Sequence, residues 1–257
     1  VSQLNLYIHY DSVTNHMMTR GIDLRVEDFP PSYFPKNLIL AEAPKDFGRF
    51  DPQTNFKILR GSEEVRDYMM TTDKQKVRMS NWIDFESIES MHLLTPNEIS
   101  ELLYLFHANR SMKSAFFYKL QNNYVYLTLP NGLNKMFYRH VQHFLPRFQR
   151  GLTQTMEQLI RENNRIWFAR RKIVVPLLDG EIAEKMVDFF ADGLKVNFKQ
   201  YHQEGSRWFI PLDIIEDELT LLSRDQLPQD HIGYLIYDSD NGTWQAELTS
   251  LGNGGHE

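Results

Sequence analysis

The sequence predicts an α+β protein: a β-rich N-terminal half followed by a helix, a hairpin and a βαβ arrangement. Three observations carry this expectation. Short β-biased runs bounded by turn residues fill the first 94 positions, a helix-start signature stands at Thr95-Pro96-Asn97-Glu98, and a helical spacing of apolar residues sets in at Phe137. Hydrophobic residues make up 42% and charged residues 24% of the 257, which is the composition of a globular chain rather than a disordered one. The expected division is a β-rich region over 1–94 and an α/β region over 95–257, with a long basic helix and an acidic C-terminal hairpin. A single continuous domain is the alternative, since one large domain also fits this length.

The elements follow in chain order. Leu4–Tyr10, Ile22–Glu27, Asn37–Ala43 and Phe56–Arg60 are β-biased, separated by Pro30-Pro31-Ser32-Tyr33-Phe34-Pro35 and Asp51-Pro52. Ser62–Met70 reads as a helix with Ser62 as cap and Glu63 and Glu64 at its positive start. Thr95, Pro96 and Glu98 form a capping box, and Ile99, Leu102, Leu103 and Phe106 share the face that follows. Ala115–Gln121 and Tyr124–Leu129 alternate as a hairpin about Asn122-Asn123. From Phe137 to Ile160 the apolar positions keep steps of three, four and one, a long helix kinked at Pro146. Arg165–Leu178 reads as a strand, and Asp179-Gly180 opens a helix that stops at Gly193. Leu194–Tyr201 pairs with Arg207–Leu212, Asp213–Ser223 is a short acidic helix, and Gly233–Asp238 turns at Asp240-Asn241-Gly242 into Thr243–Glu247.

Several chemistries are excluded outright. Without cysteine the chain has no disulfide, thiolate zinc site, iron–sulfur cluster or cysteine nucleophile. The phosphate-binding glycine loops, the His-Glu-x-x-His zinc motif and the Gly-x-Ser-x-Gly elbow are missing, so no cofactor and no metal is expected. Val1–Tyr10 has no basic stretch leading into an apolar core, and nowhere do 18 apolar residues run together. The expectation is a soluble cytoplasmic protein with no membrane partner.

Net charge is −6, yet it is unevenly spread. Residues 134–172 hold nine Lys and Arg against two Asp and Glu, whereas residues 211–257 hold one against ten. On a helical wheel Arg139, His143, Arg147, Arg150, Arg161 and Arg165 fall within a sector of about 80°. Like charges over several turns repel, so such a stripe ordinarily meets something negative. That makes these six the candidate anion-binding residues. The leading expectation is a binding or regulatory protein that docks an anionic partner, an acidic protein or nucleic acid, through this helix face. One alternative is an enzyme acting on a phosphorylated or carboxylated small molecule, suggested by the glycine turns Arg60-Gly61, Asn131-Gly132 and Asp179-Gly180. The other is a self-associating protein or homo-oligomer whose basic and acidic regions pair with each other.

The remaining clusters have plainer readings. His140 and His143 lie three apart, but Arg139 and Arg147 beside them repel a cation, so they read as surface histidines. Arg170, Arg171 and Lys172 read as guards of an edge strand. Asp84, Glu86 and Glu89 read as a solvated face, and Asp238-x-Asp240-x-Gly242 as turn chemistry. Tyr7, Tyr10, Tyr118, Tyr124 and Tyr126 read as cross-strand packing rather than as a platform for bases.

Overall fold

The computed structural model describes residues 5–41, 47–107, 114–163, 174–215 and 230–248. Its strands are β1 (Asn5–Asp11), β2 (His16–Arg20), β3 (Asn37–Leu40), β4 (Arg49–Phe50), β5 (Lys57–Arg60), β6 (Trp82–Phe85), β7 (Tyr124–Thr128), β8 (Leu133–Tyr138), β9 (Leu194–Asn197), β10 (His202–Glu204), β11 (Arg207–Ile214), β12 (Asp230–Asp238) and β13 (Thr243–Leu248). The helices are α1 (Ser62–Gln75), α2 (Ile88–His92), α3 (Pro96–His107), α4 (Leu145–Asn163) and α5 (Gly180–Val187). The protein is thus mixed α and β. Two compact units interleave in sequence: Val1–Tyr10, Thr19–Asp23 and Arg147–Glu257 form the first, Asp11–Met18 and Leu24–Pro146 the second.

In the second unit the strand order is β8-β7-β6-β3-β5-β4, and each of these pairs is antiparallel. β6 and β7 join directly, with Trp82 opposite Tyr126, so one sheet takes strands from both sides of Thr95. Alternation puts Ile39, Ile58, Ile83, Val125 and Phe137 on one face, where they share a core with Met91 of α2 and Leu102, Leu105 and Phe106 of α3. α1 crosses β3 and β5, burying Val65, Tyr68 and Met69. The capping box at α3 is formed, Glu98 accepting from the Thr95 amide at 2.7 Å and Thr95 accepting from the Glu98 amide at 3.3 Å.

In the first unit β1-β9-β11-β12-β13 are antiparallel neighbours, with β10 folded back on β11. The pairing of Leu194–Asn197 with the Arg207 strand, the Asp179 cap and the closing hairpin are as expected. The strand that follows α5 is not in a parallel βαβ unit, since β9 pairs antiparallel with both its neighbours.

Four other expectations are corrected. Ile22–Glu27 is not a strand; it leads into a short 3-10 turn at Val26–Asp28, where the Asp28 carboxylate takes the Arg25 amide at 2.7 Å. The hairpin lies one element later, β7 with β8 across Pro130–Gly132, since Asn122 ties Ala115 and Phe117 into a buried loop instead. Phe137–Ile160 is not one helix: Leu133–Tyr138 is a strand buried on both faces, and Pro146 stands in the first turn of α4, where proline starts a helix rather than kinking it. Residues 174–178 form no strand, because side chains of α4 take their backbone groups. Glu157 accepts from the Val175 amide at 3.2 Å, and Thr153 and Gln149 hold the Leu178 amide and carbonyl. Residues 165–173, including Arg170, Arg171 and Lys172, lie outside the described residues, as does 216–223 of the expected acidic helix, while Asp213 and Ile214 belong to β11.

Two positions test this packing. Gly233 of β12 has φ +138°, and a Cβ there would sit 1.9 Å from the Glu247 carbonyl oxygen. Gly233→Ala should therefore destabilise by more than about 2 kcal/mol in urea unfolding, and a loss under about 0.5 kcal/mol would contradict the β12–β13 register. Asp51, fully buried in the β4–β5 turn, accepts from the Thr54 amide at 2.8 Å and meets His92 Nε2 at 2.9 Å. Burial alone would raise its pKa, but the His92 and Thr54 donors outweigh it and hold it at about 2. A carboxyl below its ordinary 3.8 stabilises the fold above that pH and loses the contribution as pH falls towards 2. The stability gap between wild type and Asp51→Asn should accordingly narrow by about 2 kcal/mol between pH 5 and pH 2.

Candidate functional site

Of the five stripe residues that are described, three are buried: His143, Arg147 and Arg150. Arg139 follows β8 in the second unit, exposed, its Nε donating to the Asn122 carbonyl at 2.8 Å and its guanidinium 5.0 Å over Phe116. His143 is buried in a 3-10 turn of the same unit. Arg147 and Arg150 belong to α4 in the first unit, 0% and 9% exposed. Arg147 donates to Thr19 Oγ1 at 3.2 Å and to the Ile22 carbonyl at 2.6 Å, and Arg150 donates to the Asp23 carbonyl and to Gln154 Oε1. A guanidinium taken out of water needs such acceptors, so these two serve the interior. Gly151, directly after Arg150, lets Ile22 approach where a Cβ would stand 2.8 Å from its Cγ2. Of the α4 members only Arg161 is exposed, and Arg165 lies outside the described residues.

A cleft of about 590 Å³ opens in the second unit between α1 and the 3-10 turns at Val26–Asp28 and Pro31–Tyr33. Val26, Phe29, Pro31, Phe34 and Met70 give it an apolar lining, and Glu27, Arg66, Asp73 and Lys74 its charges. Helix geometry explains the α1 contribution: with Val65, Tyr68, Met69 and Thr72 buried, positions 66, 70, 73 and 74 share the flanking face. Phe29 anchors the opposite wall, edge-on to Tyr124 at 5.1 Å and to Phe34 at 5.6 Å. Arg25 engages both acids, 3.5 Å from Asp73 and 3.9 Å from Glu27. Arg66 instead rests over the Phe34 ring at 4.6 Å, and among the described residues neither Arg66 nor Lys74 has a carboxylate within 4 Å. The cleft therefore offers two uncommitted cations beside apolar surface.

Beyond Phe29 lies a polar cluster that does not line the cleft. Asp84, expected on a solvated face, is 4% exposed, while Glu86 and Glu89 are exposed. Its Oδ1 accepts from the Asn123 amide at 3.0 Å and the Tyr124 amide at 2.6 Å, holding the start of β7 where the β6–β7 ladder has ended. Burial pushes its pKa up to about 7 although those amides and the Arg139 charge oppose the rise. The Tyr124 hydroxyl meets His143 Nδ1 at 2.8 Å, and the His143 ring packs on Tyr33 at 4.6 Å and His140 at 5.2 Å. Burial, and secondarily His140, lowers the His143 pKa. These histidines are thus a packed aromatic pair rather than a free surface pair. Among the described residues no group of three or more His, Asp or Glu is placed to hold a metal ion.

No protein-family model matches this sequence, and no curated protein or solved structure is significantly similar to it. The site therefore rests on its own chemistry. No helix among the described residues is long and apolar enough to cross a membrane. None of the turn glycines Gly61, Gly132 and Gly180 is part of the cleft lining. The sequence offered one usable signal for the cleft, the spacing of Arg66, Met70, Asp73 and Lys74, but the facing wall is remote in sequence and irregular.

The buried carboxyl makes a signed prediction. A group whose folded pKa exceeds its ordinary 3.8 favours the fold below that pH and ceases to as pH rises to about 7. In Asp84→Asn the remaining Oδ1 can keep both amide contacts. The variant should lose a stability decline on the order of 4 kcal/mol that wild type shows between about pH 4 and pH 7. Parallel pH profiles for the two proteins would refute the assignment.

Proposed function

We propose that this chain is a binding or regulatory protein that takes up an anionic partner, and that the contacts are made by Arg66 and Lys74 of the cleft rather than by the face of α4. The observation that carries this reading is the uneven pairing of the cleft's charges: Arg25 occupies Asp73 and Glu27, leaving two exposed cations without carboxylates. A cation already stacked on an aromatic ring is oriented, so an arriving anion meets a donor that loses little further freedom. Concave, largely apolar walls with a few placed polar groups are the usual form of a ligand site. The enzymatic alternative draws less support, since Asp84, His140 and His143 are not in the cleft lining. The stripe reading loses its basis with Arg147 and Arg150 turned inward.

Two anionic probes test the proposal, octyl phosphate and a twelve-nucleotide single-stranded DNA, each titrated at low salt. At least one should bind, and its affinity should fall tenfold or more in Arg66→Gln/Lys74→Gln while Arg161→Gln, altered at the exposed arginine of α4, binds as wild type. Binding of neither probe, or binding indifferent to Arg66 and Lys74, would dismiss this reading.

A further inference from the structure

We infer that the ligand of the cleft is a small amphipathic anion, an acidic head of the phosphate or carboxylate type on an apolar body of roughly six to ten carbons, and not a polyanion. This rests on the reading that the cleft binds an anion, and it goes further by fixing the ligand's chemistry. The first argument is the number of cations. Polyanion binding draws its strength from many simultaneous phosphate contacts. Among the described residues the cleft presents only two cations without a carboxylate partner, Arg66 and Lys74. The two acids on the cleft's edge, Glu27 and Asp73, further disfavour a long run of negative charge.

The second argument is the apolar lining. Phe29, Phe34, Val26, Pro31 and Met70 face the same space as the cations, and Met70 is 39% exposed. A phosphate or sulfate alone leaves that surface wet, and a neutral hydrocarbon leaves Arg66 and Lys74 without a counter-charge. A ligand carrying both parts removes apolar area from water and meets the cations in one placement. The third argument is size. The volume of about 590 Å³ lies within the range of small-molecule sites and holds such a body with its head.

The experiment compares octyl phosphate with its two halves, inorganic phosphate and 1-octanol, and with the twelve-nucleotide DNA, by calorimetry on the full chain below the micelle concentration. Octyl phosphate is expected to bind at least tenfold more tightly than either half, and to lose that advantage both in Arg66→Gln/Lys74→Gln and in Met70→Gln. These three positions are exposed, so an unchanged thermal midpoint in each variant establishes that the fold is intact. If the DNA binds through Arg66 and Lys74 and octyl phosphate does not, the cleft is an anion site and the amphipathic inference is wrong. If octyl phosphate binds no better than phosphate, the apolar lining takes no part and the inference is likewise wrong. Binding of none of the probes overturns the anion reading itself.

Discussion

Arg147 sets the terms for the first unit, because a guanidinium with no exposure must be met by acceptors or left out of the fold. It is met by the Thr19 hydroxyl and the Ile22 carbonyl, and Arg150 one turn later takes the Asp23 carbonyl. The two arginines thereby satisfy backbone oxygens of a segment that has no strand partner there, and they draw that segment against α4, where Gly151 makes room for Ile22. Pairing of this kind is costly to break from either side. It also converts what would have been a basic surface into internal structure. The charges of Arg147 and Arg150 are thereby withdrawn from solvent.

In the second unit a related economy operates with carboxylates. Asp51 closes a tight turn, Asp28 caps another, and Asp84 replaces ladder hydrogen bonds at the start of β7. Each acid is consumed by backbone amides close to where it stands. Arg25 similarly consumes Asp73 and Glu27 at the cleft. Arg66 and Lys74 are therefore conspicuous for their surroundings rather than for their residue type, since every nearby acid in the cleft lining already has a cation.

Much of the local structure was legible in the sequence because its causes are local. The Thr95 and Glu98 box, the Asp179 cap and the turn at Asp240-Asn241-Gly242 each depend on a few consecutive residues, and each formed as expected. The failures have non-local causes. Leu133–Tyr138 is buried on both faces, so its run of apolar residues merges with the true helical spacing of α4 and imitates one long helix. A helical wheel assigns residues to a face without saying what covers that face, and α4 is covered where Arg147 and Arg150 lie. The cleft was only half legible, through the spacing on α1, because its far wall, Val26 to Phe34, is an irregular segment brought to α1 only by the fold.

The central claim is that an anion enters at Arg66 and Lys74, and the most direct test is to map amide and arginine side-chain ¹H–¹⁵N shifts as octyl phosphate is added. The account predicts the largest changes at Arg66 Nε and along Val26–Phe34 and the flank of α1 from Arg66 to Lys74, with α4 unmoved. Shifts centred instead on α4 between Leu145 and Asn163, with the cleft silent, would contradict it.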